Sequence, residues 1–236
     1  MQKLIGHVRA AIDRYNMIEK GDRIAVGVSG GKDSLFLLAS LAALAKYYPN
    51  NFEVVAITAD PCFGGVETDF SKVEKICENL KVPYIIKRTN LGPIIFEERK
   101  EDSPCSLCAR MRRGILHNLC IEHNCNKLAL GHHHDDAVQT FMMNLLYGGK
   151  IGCFAPKTYL SRKDITAIRP LIFCKENDIK RAVAREKLPI VKSECPVDGI
   201  TSRKDTAELL KILGKDFSDI NNKILGAMQR AGIDGW

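Results

Sequence analysis

Residues 29–34 read SGGKDS and bring two glycines, a lysine, an aspartate and two serines into one short segment. The segment follows an apolar run at 24–28 and precedes the apolar residues 35–38, so it joins a predicted buried strand to a predicted helix. Glycine lets backbone N–H groups approach an anion closely, and the helix N-terminus adds unpaired N–H groups and a positive dipole end. Lys32 contributes a positive charge and Ser34 a hydroxyl. These features predict a phosphate-binding loop.

Two other interpretations of this segment fit less well. The P-loop of kinases and GTPases, GxxxxGK[ST], needs a glycine where Val26 stands and a serine or threonine where Asp33 follows the lysine. A turn that only lets a helix pack on a sheet does not require lysine, aspartate and serine in series. The prediction is therefore a phosphate loop of another class.

A second polar group lies at residues 131–136, which read GHHHDD after a predicted strand at 128–130. Asp135 and Asp136 stand at the start of a predicted helix, where carboxylates are favoured as capping residues. Mg²⁺ also prefers carboxylate oxygens, and an ion that bridges ATP phosphates would lie opposite residues 29–34. We favour the magnesium interpretation and keep capping as the alternative. Three adjacent histidines on a helix point in different directions, so they cannot all bind one ion.

A CxxC motif, formed by Cys105 and Cys108, stands at the start of a helix predicted from Pro104. Two thiols three residues apart at a helix N-terminus can face one metal centre, and the dipole there stabilises thiolates. The motif is compatible with half of a zinc site, a redox pair or part of an iron–sulfur ligand set. A further ligand could come from Cys195, which lies in an irregular segment.

The chain has nine cysteines, irregularly spaced. This odd number favours a reducing compartment, where thiols stay free or bind metal, over structural disulfides. Cys77, Cys120 and Cys174 have apolar or helical neighbours and are predicted to be buried, inert thiols. Cys62 follows the second predicted strand and is interpreted either as a loop cysteine or as a sulfur carrier.

Apolar, β-prone runs that alternate with helical segments must position these groups. They lie at 24–28, 54–58, 84–86 and 128–130, with a short fifth run at 167–169. The alternation predicts an α/β fold with a doubly wound, parallel, five-stranded sheet. Ligands bind such sheets beyond the carboxyl ends of the strands, where residues 29–34, Asp60 and residues 131–136 are all expected.

The predicted organisation has three parts. Residues 1–20 form an N-terminal helix, and residues 21–170 form an ATP-binding α/β domain that carries the CxxC motif as an insertion. Residues 171–236 form a small helical region that includes Cys195. Its helices are predicted at 176–187, 202–213 and 220–230, with an extended segment at 189–199. Residues 148–164 are predicted to be a long loop, which is typical of a functional or mobile segment.

The composition suits one α/β domain with an appendage, since 45% of the 236 residues are hydrophobic. No run approaches the roughly 20 apolar residues of a membrane span, and the N-terminus does not read as a signal peptide, so we expect a cytoplasmic protein without a membrane partner. The net charge of +7 favours a polyanionic partner weakly. Basic residues that could form a phosphate-binding surface are Arg110, Arg112, Arg113, Lys150, Lys157, Arg162, Lys163, Arg203 and Lys204.

Taken together and in order, these motifs resemble the tRNA 2-thiocytidine synthetase family of the PP-loop ATP pyrophosphatases. The resemblance covers roughly residues 20–200. It is carried by SGGKDS, CSLCARMRRGIL, LALGHHHDDAVQTFMMNLLYGGK, IRPL and the late Cys195. The fold that it implies is that of the adenine nucleotide alpha hydrolases.

The resemblance also implies an activity and its site. The enzyme would use ATP and Mg²⁺ to adenylate the C2 oxygen of a cytidine in a tRNA anticodon loop, at position 32, and sulfur would then displace AMP. A [4Fe–4S] cluster would lie on Cys105, Cys108 and Cys195. ATP would bind at Ser29, Gly30, Gly31, Lys32, Asp33, Ser34, Asp60, Gly131 and Asp135, with Lys32, Asp33 and Asp136 in catalytic roles. Its partners would be tRNA, a sulfur donor such as a cysteine desulfurase, and a second copy of the chain.

Two rival functions remain open at this point. An ATP-dependent amidase or tRNA-modifying ligase would form the same adenylate, and its cysteines would be incidental or bound to zinc. A non-catalytic nucleotide-sensing module would bind ATP without releasing pyrophosphate.

Overall fold

The structure is a computed structural model that describes residues 2–99, 104–192, 194–197 and 202–236. At its centre is a six-stranded sheet with the strand order β3-β2-β1-β4-β6-β5. The strands are β1 (Arg23–Gly27), β2 (Glu53–Asp60), β3 (Tyr84–Arg88), β4 (Lys127–Ala129), β5 (Lys157–Leu160) and β6 (Ile165–Ile168). Neighbouring strands are parallel except for β5, which runs antiparallel to β6 at one edge.

The helices connect these strands and extend the chain beyond the sheet. They are α1 (Gln2–Arg14), α2 (Lys32–Leu44), α3 (Ser71–Leu80), α4 (Leu91–Pro93), α5 (Pro104–Glu122), α6 (His134–Leu146), α7 (Glu176–Arg185), α8 (Ser202–Asp216) and α9 (Ile220–Arg230). A π-helical turn, Ile94–Glu98, follows α4, and short 3-10 turns lie at Phe63–Gly65 and Ile233–Gly235. The helices predicted in the last third of the sequence are confirmed. Among the described residues, no helix has both the length and the apolar character needed to cross a membrane.

Side chains alternate between the two faces of the sheet, and helices cover both faces. Ile24 and Val26 of β1 belong to the larger core, together with α1, α2 and α7. Ala25 points to the other face, where it joins Leu119 and Cys120 of α5. This period of two, with apolar residues on both faces, is what a covered parallel sheet requires. The prediction of a doubly wound α/β fold is confirmed.

The prediction that residues 148–164 form a continuous loop is wrong for its second half. Residues 157–160 form β5, which pairs with β6 as a hairpin and adds a sixth strand to the predicted five. The turn between the two strands places Asp164 at φ 51°, in the left-handed region, and Lys163 N donates to Leu160 O over 2.9 Å. Aspartate tolerates that conformation better than most residues, which lets a tight turn form. The strand is only four residues long and reads KTYL, so it contains no apolar run that would have indicated it.

Cys77, Cys120 and Cys174 are fully buried in the core, as predicted. Burial disfavours the thiolate and raises the pKa of each thiol to about 12. These three cysteines therefore remain protonated and unreactive at neutral pH.

Candidate nucleotide and thiol site

The loop between β1 and α2 holds a shape that only glycine permits at Gly30. This residue has a φ of +81°, and a Cβ built on it would lie 2.7 Å from the Cβ of Val191. The Val191 N–H donates to Gly30 O over 3.0 Å, so the segment around residue 191 lies directly against the loop. Ser34 Oγ donates to Gly31 O over 2.9 Å and accepts from Ser29 N over 3.2 Å. The loop is thus braced by its own hydroxyls.

The N-terminus of α2 is open to a ligand. Its N-cap is Gly31, which has no side chain to bind the first amides of the helix. Unpaired N–H groups at this end favour an anion, and the helix dipole adds to the attraction. The loop therefore provides the geometry of a phosphate-binding site.

Replacing Gly30 with alanine is expected to destabilise the protein by about 1–3 kcal/mol, because the new Cβ meets Val191 and the positive φ is strained. Gly6→Ala is the matched control, since Gly6 lies in α1 with no atom within 4 Å of a built Cβ. Alanine there should stabilise the helix by roughly 0.5–1 kcal/mol. Urea unfolding of both variants measures the difference, and equal effects would contradict the strained-loop account.

Lys32 projects from the first turn of α2 into a pair of carboxylates. Its Nζ lies 3.0 Å from Asp33 Oδ2 and 3.0 Å from Glu176 Oε1, at the start of α7. Burial alone would lower the pKa of Lys32, but the hydrogen bonds and charges of Asp33 and Glu176 outweigh it and raise the pKa. Lys32 is therefore a fixed cation beside the loop. Sequence reasoning missed Glu176, because nothing in its neighbourhood points to a residue so distant in the chain.

Asp33 has an oxygen that the protein leaves free. Its Oδ1 is buried and has no hydrogen-bond partner among the described residues, and His133 Nε2 is 3.8 Å away. Burial raises the pKa of Asp33, the neighbouring Asp136 raises it further, and His133 and Lys32 oppose the shift. A buried carboxylate oxygen without a partner fits a hard cation, which would satisfy the oxygen and offset the repulsion from Asp136.

Asp136 caps α6, as one of the two interpretations of the sequence predicts. Its Oδ2 accepts from His133 N over 3.0 Å, and its own N–H donates to His133 Nδ1 over 3.3 Å. Its Oδ1 accepts from Arg203 Nη1 of α8 over 3.0 Å. The preceding Gly131 lies close to α2, since a Cβ built there would be 3.3 Å from Ser34 N. The β4–α6 loop and the phosphate-binding loop at residues 29–34, called the phosphate-type loop below, are thus neighbours at one edge of the sheet.

Asp135, in contrast, uses both of its carboxylate oxygens to accept hydrogen bonds from two other helices. Its Oδ2 accepts from Glu176 N over 2.7 Å, and its Oδ1 accepts from Asn221 Nδ2 over 3.1 Å. Both oxygens therefore hold α7 and α9 against α6. The structure does not leave Asp135 free as a ligand beside Asp33.

Asp60 lies at the same edge, but its side chain is completely buried. It accepts from Thr68 N and Thr68 Oγ1, both at 2.9 Å, from Cys62 N at 3.2 Å and from Arg88 Nη1 at 2.7 Å. Burial alone would raise the pKa of Asp60, but these hydrogen bonds outweigh it and the pKa is lowered. The carboxylate therefore anchors the loop after β2. Cys62 in that loop is itself buried, with a thiol pKa that burial raises.

The thiols of the CxxC motif lie at the start of α5, with Cys105 exposed and Cys108 buried. Burial raises the pKa of Cys108, negative charge on Cys195 and Cys105 would raise it further, and the neighbouring Arg112 lowers it. Cys105, Cys195 and Arg112 therefore all lie near enough to Cys108 for their charges to shift its pKa. In the described part of the chain, no three or more His, Cys, Asp or Glu side chains are grouped so that they could hold a single metal ion.

Chain length also ties Cys195 to the phosphate-type loop. Val191 is hydrogen-bonded to Gly30, and a fully extended chain spans at most about 3.5 Å per residue, so Cys195 lies within about 14 Å of Val191. The half-buried Cys195 and the loop must therefore share one region of the molecule. The extended segment predicted at 189–199 lies partly outside the described residues.

A parallel sheet with a glycine-rich loop after its first strand and acidic residues after its fourth defines a nucleotide-binding α/β protein of the PP-loop class, and the family model for the PP-loop domain matches residues 5–199. The tRNA-cytidine(32) 2-sulfurtransferase of Geotalea uraniireducens is 39% identical, over 96% of this chain and 90% of that protein. The enzyme of the same name from Geotalea daltonii is 40% identical, again over 96% of this chain and 90% of that protein. The chain belongs to the tRNA-cytidine(32) 2-sulfurtransferase family, so the family resemblance of its motifs is confirmed.

A solved structure shows the same architecture. It is the U34-tRNA thiolase NcsA from Methanococcus maripaludis with its [4Fe-4S] cluster, which superposes with a TM-score of 0.81 at 28% sequence identity. The match covers 98% of this chain and 78% of that one.

Proposed function

We propose that the protein catalyses ATP-dependent thiolation at C2 of cytidine 32 in tRNA, with release of AMP and pyrophosphate. The names of its relatives support the substrate. The observation that carries the proposal is the contact of Val191 with Gly30, which brings the Cys195 segment to the phosphate-type loop. Nucleotide activation and sulfur chemistry therefore have their residues in one region.

The nucleotide half of the site follows from the loop and from Asp33. We infer that the amides of residues 30–34 and the Lys32 ammonium bind the phosphates, and that Ser29 and Ser34 brace the loop. The free oxygen of Asp33 would hold Mg²⁺, and Asp136, whose oxygens already accept from His133 N and Arg203 Nη1, would add negative charge beside the ion. Asp135 and Asp60 would support the site through the helices and the loop that they anchor, and Gly131 through its close approach to α2.

The reaction needs two displacements. In the first, the C2 oxygen of cytidine forms a bond to the α phosphorus of ATP, and pyrophosphate leaves with charge that Lys32 stabilises. In the second, sulfur forms a bond to C2, and the oxygen departs as part of AMP. The first step is required because AMP is a far better leaving group than the carbonyl oxygen itself.

The thiols fit an iron–sulfur cluster by the chemistry of the donor set. We infer that Cys105, Cys108 and Cys195 hold a [4Fe–4S] cluster of the kind that NcsA contains. The bound cluster would present sulfur to the activated C2 atom. Arg112 lowers the pKa of Cys108 against the effect of burial, so it favours the thiolate that a metal ligand requires.

The rest of the chain would support this site. We propose an ATP-binding domain at 21–170, preceded by the N-terminal helix at 1–20. The helical region at 171–236 would supply Glu176 and Cys195. A sulfur donor such as a cysteine desulfurase, a homodimeric state and a cytoplasmic location complete the proposal.

The test is a reconstituted reaction under anaerobic conditions with ATP, Mg²⁺, sulfide and unmodified tRNA. We expect 2-thiocytidine in the digested tRNA, one AMP per modified base, and iron and acid-labile sulfide bound to the protein. A tRNA with uridine in place of cytidine 32 is the control and should stay unmodified. AMP formed together with an amine adduct on a zinc-containing protein would indicate the ligase, and ATP binding without pyrophosphate release would indicate the sensing module.

A further inference from the structure

Arg169, directly after β6, is a mostly buried cation without a carboxylate partner. Its Nη1 donates to Ala155 O over 2.5 Å and to Thr158 Oγ1 over 3.4 Å, while its buried Nε has no hydrogen-bond partner. Among the described residues, no carboxylate lies within ion-pair distance of it. A guanidinium has five N–H donors in a planar fork, so this group retains unused donors. Buried charges are normally paired, and the unpaired one requires an explanation.

The guanidinium is held in place by an aromatic platform. Its Cζ lies 5.0 Å from the ring centre of Phe154, and the His132 ring packs 4.9 Å from the same centre. The C-terminus fixes Phe154, because Trp236 Nε1 donates to Phe154 O over 2.8 Å and Asp234 Oδ2 accepts from Cys153 N over 2.7 Å. The chain thus fixes the orientation of Arg169 before any ligand arrives.

The surroundings of Arg169 carry uncompensated positive charge. Burial and the exposed Arg113 of α5 lower the pKa of Arg169 to about 10. Burial, followed by the charge of Arg169, lowers the pKa of His132 to about 4, so His132 is neutral at pH 7. The nearby Asp136 is already paired with Arg203. A bound anion would relieve this repulsion.

We propose that Arg169 and Arg113 together bind a phosphate oxyanion of the RNA backbone next to the target nucleotide. The inference rests on the proposed function. Both ATP and RNA carry the phosphate group that these arginines would bind. The position of Arg169 favours RNA. Arg169 follows β6, which lies two strands from β1 in the sheet, so the backbones of the two strands are about 10 Å apart.

The second arginine points to the same ligand. Arg113 lies on the helix that begins with the cysteine pair, five residues after Cys108, which is about 7–8 Å along the helix axis. Arg113 lies near enough to Arg169 for its charge to lower the pKa of Arg169, so a phosphate bound between the two arginines would relieve their repulsion. Planar guanidinium groups are well suited to that contact, since they bind phosphate with two parallel hydrogen bonds.

Arg113→Gln and Arg169→Gln test this site against the control Arg181→Gln. Arg181 is an exposed arginine of α7 that is paired with Asp178, so its removal changes the net charge equally. Binding of unmodified tRNA is measured over a series of salt concentrations, and ATP binding is measured separately by calorimetry. We expect each site variant to raise the Kd for tRNA about tenfold and to reduce the salt dependence by about one phosphate contact. ATP affinity should stay within about twofold.

The outcomes separate the inference from the proposed function. If wild-type protein does not bind tRNA, the proposed function fails. If wild type binds tRNA and the site variants match Arg181→Gln, the RNA contact is wrong while the function stands. Weaker ATP binding with unchanged tRNA binding would assign the phosphate to ATP and overturn the inference. Because Arg169→Gln removes a buried group and can impair folding, the exposed Arg113→Gln decides the question in that case.

Discussion

Cys108→Ala is expected to lower the rate of tRNA thiolation by at least about a hundredfold, while ATP binding stays within about twofold. The expectation follows from the proposed cluster site, because loss of a residue that only orients a metal ligand typically costs about 10–100-fold in metal affinity or activity, and Cys108 would be a direct ligand. Cys108 lies on α5, whereas the phosphates would bind at α2 and Lys32. Loss of the proposed cluster site should therefore leave the proposed nucleotide site intact.

The matched control for this substitution is Cys77→Ala. Cys77, on α3, is also buried, but it lies in the larger hydrophobic core, and burial raises the pKa of its thiol to about 12. Cys77→Ala should lower the free energy of unfolding without changing the thiolation rate or the iron content. Anaerobic measurements of iron content, thiolation and ATP affinity on both variants decide the matter. Full activity of Cys108→Ala, or an equal loss in Cys77→Ala, would contradict the cluster assignment.

The features that could be predicted from the sequence are those that depend on neighbouring residues. Strands covered on both faces read as short apolar runs, so β1 and β2 were evident at 24–28 and 54–58. The phosphate-type loop was evident because its conformation is encoded locally, with a glycine at the position that has a φ of +81°. The cap of α6 by Asp136 was also accessible, since its partner His133 is three residues away.

The features that could not be predicted depend on contacts between distant segments. Nothing in the sequence around Lys32 indicates that Glu176 would pair with it. Asp135 and Asp136 are adjacent and chemically identical, yet one docks α7 and α9 while the other caps α6 and binds Arg203. Their different roles arise from the direction in which each side chain leaves the helix, and this direction has meaning only once the helices have packed.

Asp60 illustrates the same point, and it leads to the second large expected effect. Asp60→Asn should reduce the free energy of unfolding by about 1.5–3 kcal/mol, because it weakens the hydrogen bonds that a fully buried carboxylate accepts, while Arg88 is partly exposed and keeps its ion pair with Glu67. The carboxylate now accepts hydrogen bonds from the Thr68 N–H, the Thr68 hydroxyl and the Cys62 N–H. The amide would also turn its own N–H donor towards one of these donors. A buried donor left facing a donor costs its full desolvation penalty.

The control is Asp13→Asn, at a half-exposed aspartate that pairs with Arg9 on the surface and accepts from the Tyr48 hydroxyl over 2.7 Å, a hydrogen bond that the amide oxygen of asparagine still accepts. A surface ion pair contributes little, so this change should cost less than about 1 kcal/mol in urea unfolding. Equal losses in the two variants would contradict the anchoring role of Asp60. If Asp60 contacted ATP instead, Asp60→Asn would weaken ATP binding and leave the stability of the free protein unchanged.

The pH dependence gives an independent check on Asp60. Its pKa in the folded protein is lowered from the ordinary value of 3.8, so the folded state binds this proton less readily than the unfolded state does. The stabilisation is therefore complete at neutral pH and is lost as the pH falls below about 4, towards the lowered pKa. We expect the stability difference between wild type and Asp60→Asn to be constant from pH 6 to 8 and to shrink in acid. A difference that grows in acid would mean that Asp60 is protonated in the folded protein, contrary to its hydrogen bonds with Arg88 and Thr68.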